Sequence, residues 1–377
     1  MKREFIATTF STLETVLEKE IIKLGGENTE ILGRCVSFFG DQELLYKANI
    51  HLRNCLKVLI PIAKFRVKND KQLYKNVIEI DWDKYFSIDK SFAVDVTGQT
   101  SNFNNTNYIA VKVKDGIADY FRNKYNKRPS VDRENFDIKV NFHIEGDMCT
   151  LSLDSSGESL HRRGYRLSKT EAPLNEVVAA ALVSLSDFDG NCDFIDFMCG
   201  SGTILLEAFL FANNIGANIF RDKFAFMNFK DFNEELYNKL LTEARNVNLT
   251  YKHNLIGVDI DKMAIKTAQK NISNLEENIN ITTNIKLYND DFENFKPLSE
   301  NGIVIINPPY GERLMVDDIH DLYKRIDFVL KHTYKNYKAY ILTSNNDLLK
   351  EIKLKASKKM NVFNGGIKCY YNKYEIY

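Results

Sequence analysis

The chain of 377 residues has only six prolines, and two of them stand side by side in the run Ile306-Asn307-Pro308-Pro309-Tyr310-Gly311-Glu312-Arg313-Leu314. Consecutive prolines hold the backbone in a rigid extended turn and remove two N–H donors, while their carbonyls remain acceptors. Asn307 adds an amide oxygen and Tyr310 an aromatic face. Asn307, Pro308, Pro309 and Tyr310 together could accept two N–H bonds from a flat amino group stacked on the ring, and are the expected catalytic residues. A second constellation runs from Asp196 to Ala208, where an acid, the turn Cys199-Gly200-Ser201-Gly202 and then Thr203 open a helical pattern. Glycines let the backbone approach a ligand closely, and the ordinary alternative is a tight strand–helix turn. A third is Gly257-Val258-Asp259-Ile260-Asp261. Asp259 could accept both hydroxyls of a ribose diol, whereas Asp261 is better placed as a helix N-cap. In the fourth, Asn289-Asp290-Asp291-Phe292, an acid could take an adenine amino group while the adjacent ring packs.

These groups need a scaffold that delivers each to one edge. Short apolar runs at Asp193–Met198, Leu255–Asp259, Ile285–Tyr288, Gly302–Ile306 and Lys338–Thr343 alternate with helical stripes. That alternation predicts a parallel sheet with helices on both faces, and all four constellations then follow the carboxyl ends of strands, where such sheets bind ligands. Pro173 is expected to start a helix through Leu185. The tail, Met360–Phe363 and Ile367–Tyr377 about Gly365–Gly366, reads as a closing hairpin. The first 155 residues read differently, as α+β material. A strand at Phe5–Phe10 leads to a helix capped by Ser11 or Thr12 and ended at Gly25–Gly26. A strand at 30–39, a helix at Glu43–Asn49, strands at Leu56–Val67 and Phe92–Val96, a helix at Asn107–Tyr125 and strands at Phe136–Ile144 and Met148–Leu153 follow.

In order, spacing and residue type, the four constellations resemble those of class I S-adenosylmethionine-dependent methyltransferases that act on exocyclic amino nitrogen. Residues 109–132 look like the core of a THUMP domain, an RNA-binding module. Ser159-Leu160-His161-Arg162-Arg163-Gly164-Tyr165-Arg166, followed by Ala172–Glu176, is similar to the junction in THUMP-containing RNA methyltransferases. The resemblance covers nearly the whole chain and extends to the N-terminal half of the bifunctional 23S ribosomal RNA methyltransferases that make N2-methylguanosine. It implies an α/β fold with a Rossmann-like, mostly parallel seven-stranded catalytic sheet. The implied domains are ferredoxin-like (1–65), THUMP (66–158) and methyltransferase (159–377). It implies S-adenosylmethionine as cofactor, held by Asp196, Cys199, Gly200, Ser201, Gly202, Thr203, Asp259, Ile260 and Asp291. The implied reaction is methyl transfer to guanine N2 in ribosomal RNA. The alternatives are guanine N2 of transfer RNA, adenine N6 of DNA, a protein glutamine, or an RNA-binding protein without catalysis. Two departures stand out: Phe197 occupies a position where the family often has proline, and the long stretch 211–254 lacks a Pro-Gly element near Gly216–Ile219. The second methyltransferase of the bifunctional enzymes is not expected in a chain ending at Tyr377.

Charge agrees only locally with an RNA partner. Lys+Arg and Asp+Glu are both 51, which excludes a uniformly basic nucleic-acid glue. Yet Lys112, Lys114, Arg122, Lys124, Lys127 and Arg128 cluster on one helix and its exit, interleaved with Tyr120, Phe121 and Tyr125. These six, with Arg162 and Arg163, are the expected RNA contacts. The six cysteines form no C-x-x-C pair, and no H-x-x-x-H spacing occurs, so neither a disulfide framework nor a metal site is expected. No apolar run approaches about 18 residues and the N-terminus lacks a signal-like apolar stretch. A cytoplasmic protein without a membrane partner is expected.

Overall fold

The computed structural model describes residues 2–103, 105–167, 174–309 and 316–377. The N-terminal half comprises β1 (Arg3–Thr8), α1 (Glu14–Lys23), β2 (Glu27–Leu32), β3 (Cys35–Gly40), α2 (Gln42–His51), β4 (Lys57–Arg66), α3 (Asp70–Ile78), β5 (Phe92–Gln99), α4 (Thr106–Tyr125), β6 (Ile138–Glu145) and β7 (Met148–Asp154). Its strands form one sheet of seven in the order β2-β3-β1-β4-β7-β6-β5. β4 is the seam. It pairs with β1 at one end and with β7 along its length, so β1–β3 and β5–β7 share a continuous sheet. The run expected as one strand at 30–39 is a hairpin, because Arg34 takes a left-handed φ of 60° between β2 and β3. Neither Ser11 nor Thr12 caps α1. Leu13 holds the cap position without a side-chain bond, and the Thr12 hydroxyl donates to the Asn361 carbonyl at 2.8 Å instead. α1 does end at Gly25, whose φ of 97° lets Gly26 N–H reach back to the Ile21 carbonyl at 2.9 Å.

The second half comprises α5 (Glu176–Leu185), β8 (Asp193–Phe197), α6 (Thr203–Ala212), α7 (Glu234–Arg245), β9 (Leu255–Asp259), α8 (Lys262–Ile279), β10 (Ile285–Asn289), β11 (Gly302–Ile306), α9 (Val316–Thr333), β12 (Tyr337–Thr343), β13 (Ala356–Asn364) and β14 (Ile367–Glu375). Its sheet runs β10-β9-β8-β11-β12-β14-β13, parallel up to β12 and closed by the antiparallel hairpin. β8 and β11 are buried at every position, which is why they read as unbroken apolar runs. Strand order reverses between β8 and β11, and ligands bind at such a switch point. α5 is capped by Asn175, whose side chain accepts from Val177 N–H at 2.9 Å, and every residue from Glu176 to Val183 is buried. Pro173, expected to start this helix, lies outside the described residues.

The stretch 211–254 is a clamp between the halves. The Tyr46 ring of α2 stacks on Phe226 at 4.5 Å and meets Tyr237 of α7 edge-on at 6.1 Å. Its hydroxyl accepts from Asn233 N–H at 2.9 Å. Farther along, Lys230 pairs with Asp83 at 2.6 Å, and its N–H donates to the Tyr85 carbonyl at 2.9 Å. Buried aromatic packing contributes about 0.5–1.5 kcal/mol per ring pair beyond area burial. The N-terminal half is therefore held against the C-terminal half by packed rings.

Candidate active site

The carboxyl ends of β8, β9, β10 and β11 open into a cleft of about 900 Å³. It is lined by Asp196, Cys199, Gly200, Ser201, Thr203, Asp259, Ile260, Asp291, Asn307, Pro308 and Pro309. Residues that lie far apart in sequence, from Asp196 to Pro309, thus meet as expected, because parallel strands end together. Gly202 sits at the base of the turn and caps α6 with a φ of 77°. Gly200 is also left-handed, and a Cβ there would meet nothing within 4 Å, so the turn faces open space. Beneath it β9 passes so closely that a Cβ at Gly257 would lie 2.5 Å from Leu205 Cδ1. Asp259 staples the turn: its carboxylate accepts from Gly200 N–H at 2.8 Å and from Asp261 N–H at 2.9 Å. Each oxygen retains a lone pair for a diol. Asp261 caps α8 through Met263 N–H, as its position predicted. Tyr310 lies outside the described residues.

Two side chains in the cleft have acceptors without partners. Asp196 is 1% exposed and neither carboxylate oxygen has a hydrogen bond. Burial, helped by the neighbouring Asp259 charge, pushes its carboxyl well above the ordinary range. Asn307 Oδ1 is likewise buried and unpartnered. Asp196 faces Ile305 across the β8–β11 ladder, two residues before Asn307. A cofactor with a cationic group, a ribose diol and a flat base fits this cleft. Asp196 would hold the cation, Asp259 the diol, and the exposed Ile260 side chain would cover the base. Asp291 is more committed than expected. One oxygen accepts from Arg325 Nη2 at 2.7 Å and the other from Glu293 N–H at 3.1 Å. Arg325 also pairs with Glu293 and lies 5.5 Å over the Phe292 ring. Sequence reasoning missed Asp318, Asp321, Leu322 and Arg325 of α9, all of which line the cleft. Their three- and four-residue spacing, one face of a helix, was the available signal.

Residues 163–373 match the family described as RMKL-like, methyltransferase domain. The chain belongs to this methyltransferase family. Residues 67–154 match the THUMP domain and 4–59 the RlmL ferredoxin-like domain. The chain is 36% identical to "Putative RNA methyltransferase slr0064" of Synechocystis sp. (strain ATCC 27184 / PCC 6803 / Kazusa), over 100% of this chain and 97% of the relative. It is 35% identical to the ribosomal RNA large subunit methyltransferase K/L of Methylococcus capsulatus (strain ATCC 33009 / NCIMB 11132 / Bath), over 98% of this chain and 50% of the relative, so it spans about half that protein's length. The crystal structure of SMU.472, complexed with SAH, superposes with a TM-score of 0.87 at 28% identity, covering 100% of this chain and 98% of the other.

The expected RNA contacts of this methyltransferase fare unevenly. On α4, Lys112 faces Asp70 at 3.8 Å, Lys114 pairs with Asp115 at 3.0 Å and Arg122 with Asp119 at 2.9 Å. Lys124 pairs with Asp83 at 3.0 Å. Acids of α4 itself, together with acids from α3 and the loop after it, thus neutralise much of the basic helix. Lys127 and Arg128 are exposed and have no ion-pair partner among the described residues. Arg162 is exposed beside Glu158, at 2.9 Å, on the rim of a second groove of about 1090 Å³ between the halves. Arg163 corrects the sequence expectation. It is 1% exposed, with its guanidinium on Glu207, Asn218 Oδ1 and the Leu160 carbonyl. A buried cation is tolerated only when paired in this way, and at that burial its guanidinium is out of reach of a phosphate.

Proposed function

We propose that the protein methylates the exocyclic N2 amino group of a guanine in RNA, with large-subunit 23S ribosomal RNA as the substrate. The observation that carries this reading is the bare Asn307 Oδ1 beside the two prolines, in one cleft with the bare carboxylate of Asp196. The THUMP match supports an RNA substrate, and the relative named for large-subunit ribosomal RNA supports its class. When bound, S-adenosylmethionine supplies the methyl group on a positively charged sulfonium. Asp196 and Asp259 bind and orient it. Asn307 Oδ1 and the Pro308 carbonyl accept the amino hydrogens and direct the nitrogen lone pair. Tyr310 stacks on the base, which must leave any duplex to enter. Catalysis is then positioning and electrostatics, and the proton departs after transfer without a strong base. The division into 1–65, 66–158 and 159–377 follows the same reading, with β4 spanning the first boundary. Six free cysteines suit a reducing cytoplasm.

Mass spectrometry of nucleosides from ribosomal and transfer RNA of a deletion strain tests the proposal. Loss of N2-methylguanosine from one large-subunit position supports it. Loss from transfer RNA alone moves the substrate, and no loss of any methylguanosine refutes the reading.

A further inference from the structure

The motif His161-Arg162-Arg163-Gly164-Tyr165-Arg166 has a role that RNA contact does not absorb. It lies on the strap that leaves the RNA-binding half and runs over α6 and α8 to the cofactor turn. Arg163 ties its start to the Arg53 carbonyl of the N-terminal half and to Glu207 of α6. The Tyr165 hydroxyl donates to the same Glu207 carboxylate at 2.8 Å. Leu167 N–H donates to Asn271 Oδ1 at 3.1 Å, and Asn271 Nδ2 donates to the Ser201 carbonyl at 3.1 Å. Between these anchors stands Arg166. Its Nη2 donates to Thr203 Oγ1 at 2.7 Å and to the Leu174 carbonyl at 2.9 Å. Its Nη1 lies 3.4 Å from Glu176, and the two side chains are 6% and 8% exposed.

An arginine only donates, so Thr203 Oγ1 must accept from it. The Thr203 hydrogen is then turned away from Arg166, toward Ser201 Oγ at 3.1 Å or toward a ligand. A free hydroxyl rotor becomes an oriented donor beside the first turn of α6, whose leading N–H groups have no intrahelical partner. Oriented donors and a helix N-terminus suit the anionic end of a zwitterionic cofactor. Arg166 itself belongs to the wall between the two cavities. It lines the groove between the halves, while its partner Thr203 lines the cleft.

We propose that Arg166 is a positioning residue for the cofactor turn, acting through the Thr203 hydroxyl, so that the grip on the cofactor depends on the strap from the RNA-binding half. This rests on the reading of the cleft as the cofactor site. The test is calorimetric titration of the full chain with S-adenosylhomocysteine, well below each variant's melting temperature. Arg166→Lys keeps a cation for Glu176 but cannot also bridge Thr203 and Leu174. It should raise Kd about tenfold, as expected when one charge-assisted hydrogen bond is lost. Thr203→Val should do the same and Thr203→Ser should bind as the wild type does. The double variant Arg166→Lys/Thr203→Val should be no weaker than either single one, because both remove one interaction. Unchanged affinity in folded Arg166→Lys overturns the proposal, and so do additive losses in the double variant. If Arg166→Lys does not fold, the Ser and Val variants decide: equal affinities overturn it. A wild-type chain that binds no S-adenosylhomocysteine overturns the cofactor reading instead, and the two failures are distinguishable.

Discussion

Replacing Asp196 with Asn should make the ligand-free protein more stable and its cofactor binding weaker. The carboxylate is 1% exposed and both oxygens lack partners, so the free protein bears the desolvation of an unpaired group. An unsatisfied buried polar group costs roughly 1–3 kcal/mol, and charge raises that. Asn keeps the shape and removes the charge, so a gain of about 1–2 kcal/mol is expected in denaturant unfolding without cofactor. Hydrogen bonds to a charged group are worth roughly 1.5–3 kcal/mol, so losing the cation's partner should raise the cofactor Kd by about 10- to 150-fold. The pH dependence carries the same signature. Burial first, and Asp259 second, raise the folded-state value above the ordinary one. The Asp196 contribution to stability is therefore fully present below about pH 3.9 and is lost as pH rises through the folded-state value. Affinity for a cationic cofactor runs the other way, rising as Asp196 ionises. Asp196→Asn should flatten both profiles. A folded variant with less ligand-free stability and undiminished cofactor affinity would refute the assignment of this carboxylate to a cation.

Asn307→Ala should lower turnover about 10²–10³-fold, by analogy with losing one preorganised hydrogen-bonding group, while calorimetry shows cofactor affinity nearly intact. Tyr310→Phe should be mild and Tyr310→Ala severe in the same assay, since base–aromatic stacking is worth about 1–3 kcal/mol; equal losses would point to the hydroxyl. Arg163→Ala should destabilise the fold by about 3–5 kcal/mol in denaturant titration, because it leaves the fully buried Glu207 carboxylate without its cation, with only the Tyr165 hydroxyl still donating to it. Lys127→Ala with Arg128→Ala should leave stability unchanged and weaken RNA binding. It should also reduce the slope of log K against log salt by about 1–2, and an unchanged slope would remove these residues from the RNA interface.

Much of the catalytic half was legible because its signals are local. β8, β9 and β11 read as strands since both faces of a parallel sheet are buried, leaving no polar alternation to confuse them with loops. The Gly200–Gly202 turn and the paired prolines carry their backbone geometry in their covalent structure. Asp261 announced itself as a cap because a cap is satisfied two residues away. Local signals also misled. Thr12 has a good capping side chain, but the Asn361 carbonyl, 349 residues distant, takes its hydroxyl. On α4, Asp115 and Asp119 are local partners of Lys114 and Arg122, but the acids that meet Lys112 and Lys124, namely Asp70, Asp81 and Asp83, come from α3 and the loop that follows and leave no local signal.

By itself, the sequence determined the alternation of strands and helices, the turn and the rigid motif at the strand ends, and hence the kind of chemistry the cleft can do. These follow from backbone preferences and burial patterns that act within a few residues. Only the tertiary structure decided which charges are spent. Two adjacent arginines, Arg162 and Arg163, are indistinguishable in sequence, yet one lies at the surface and the other is sealed against Glu207, 44 residues onward. Asp196 and Asp291 are both acids at strand ends, but one is bare and the other is held by Arg325, 34 residues away. Coulomb attraction and desolvation depend on distance in space rather than along the chain, so the availability of a charged group is settled only when the partners have been brought together.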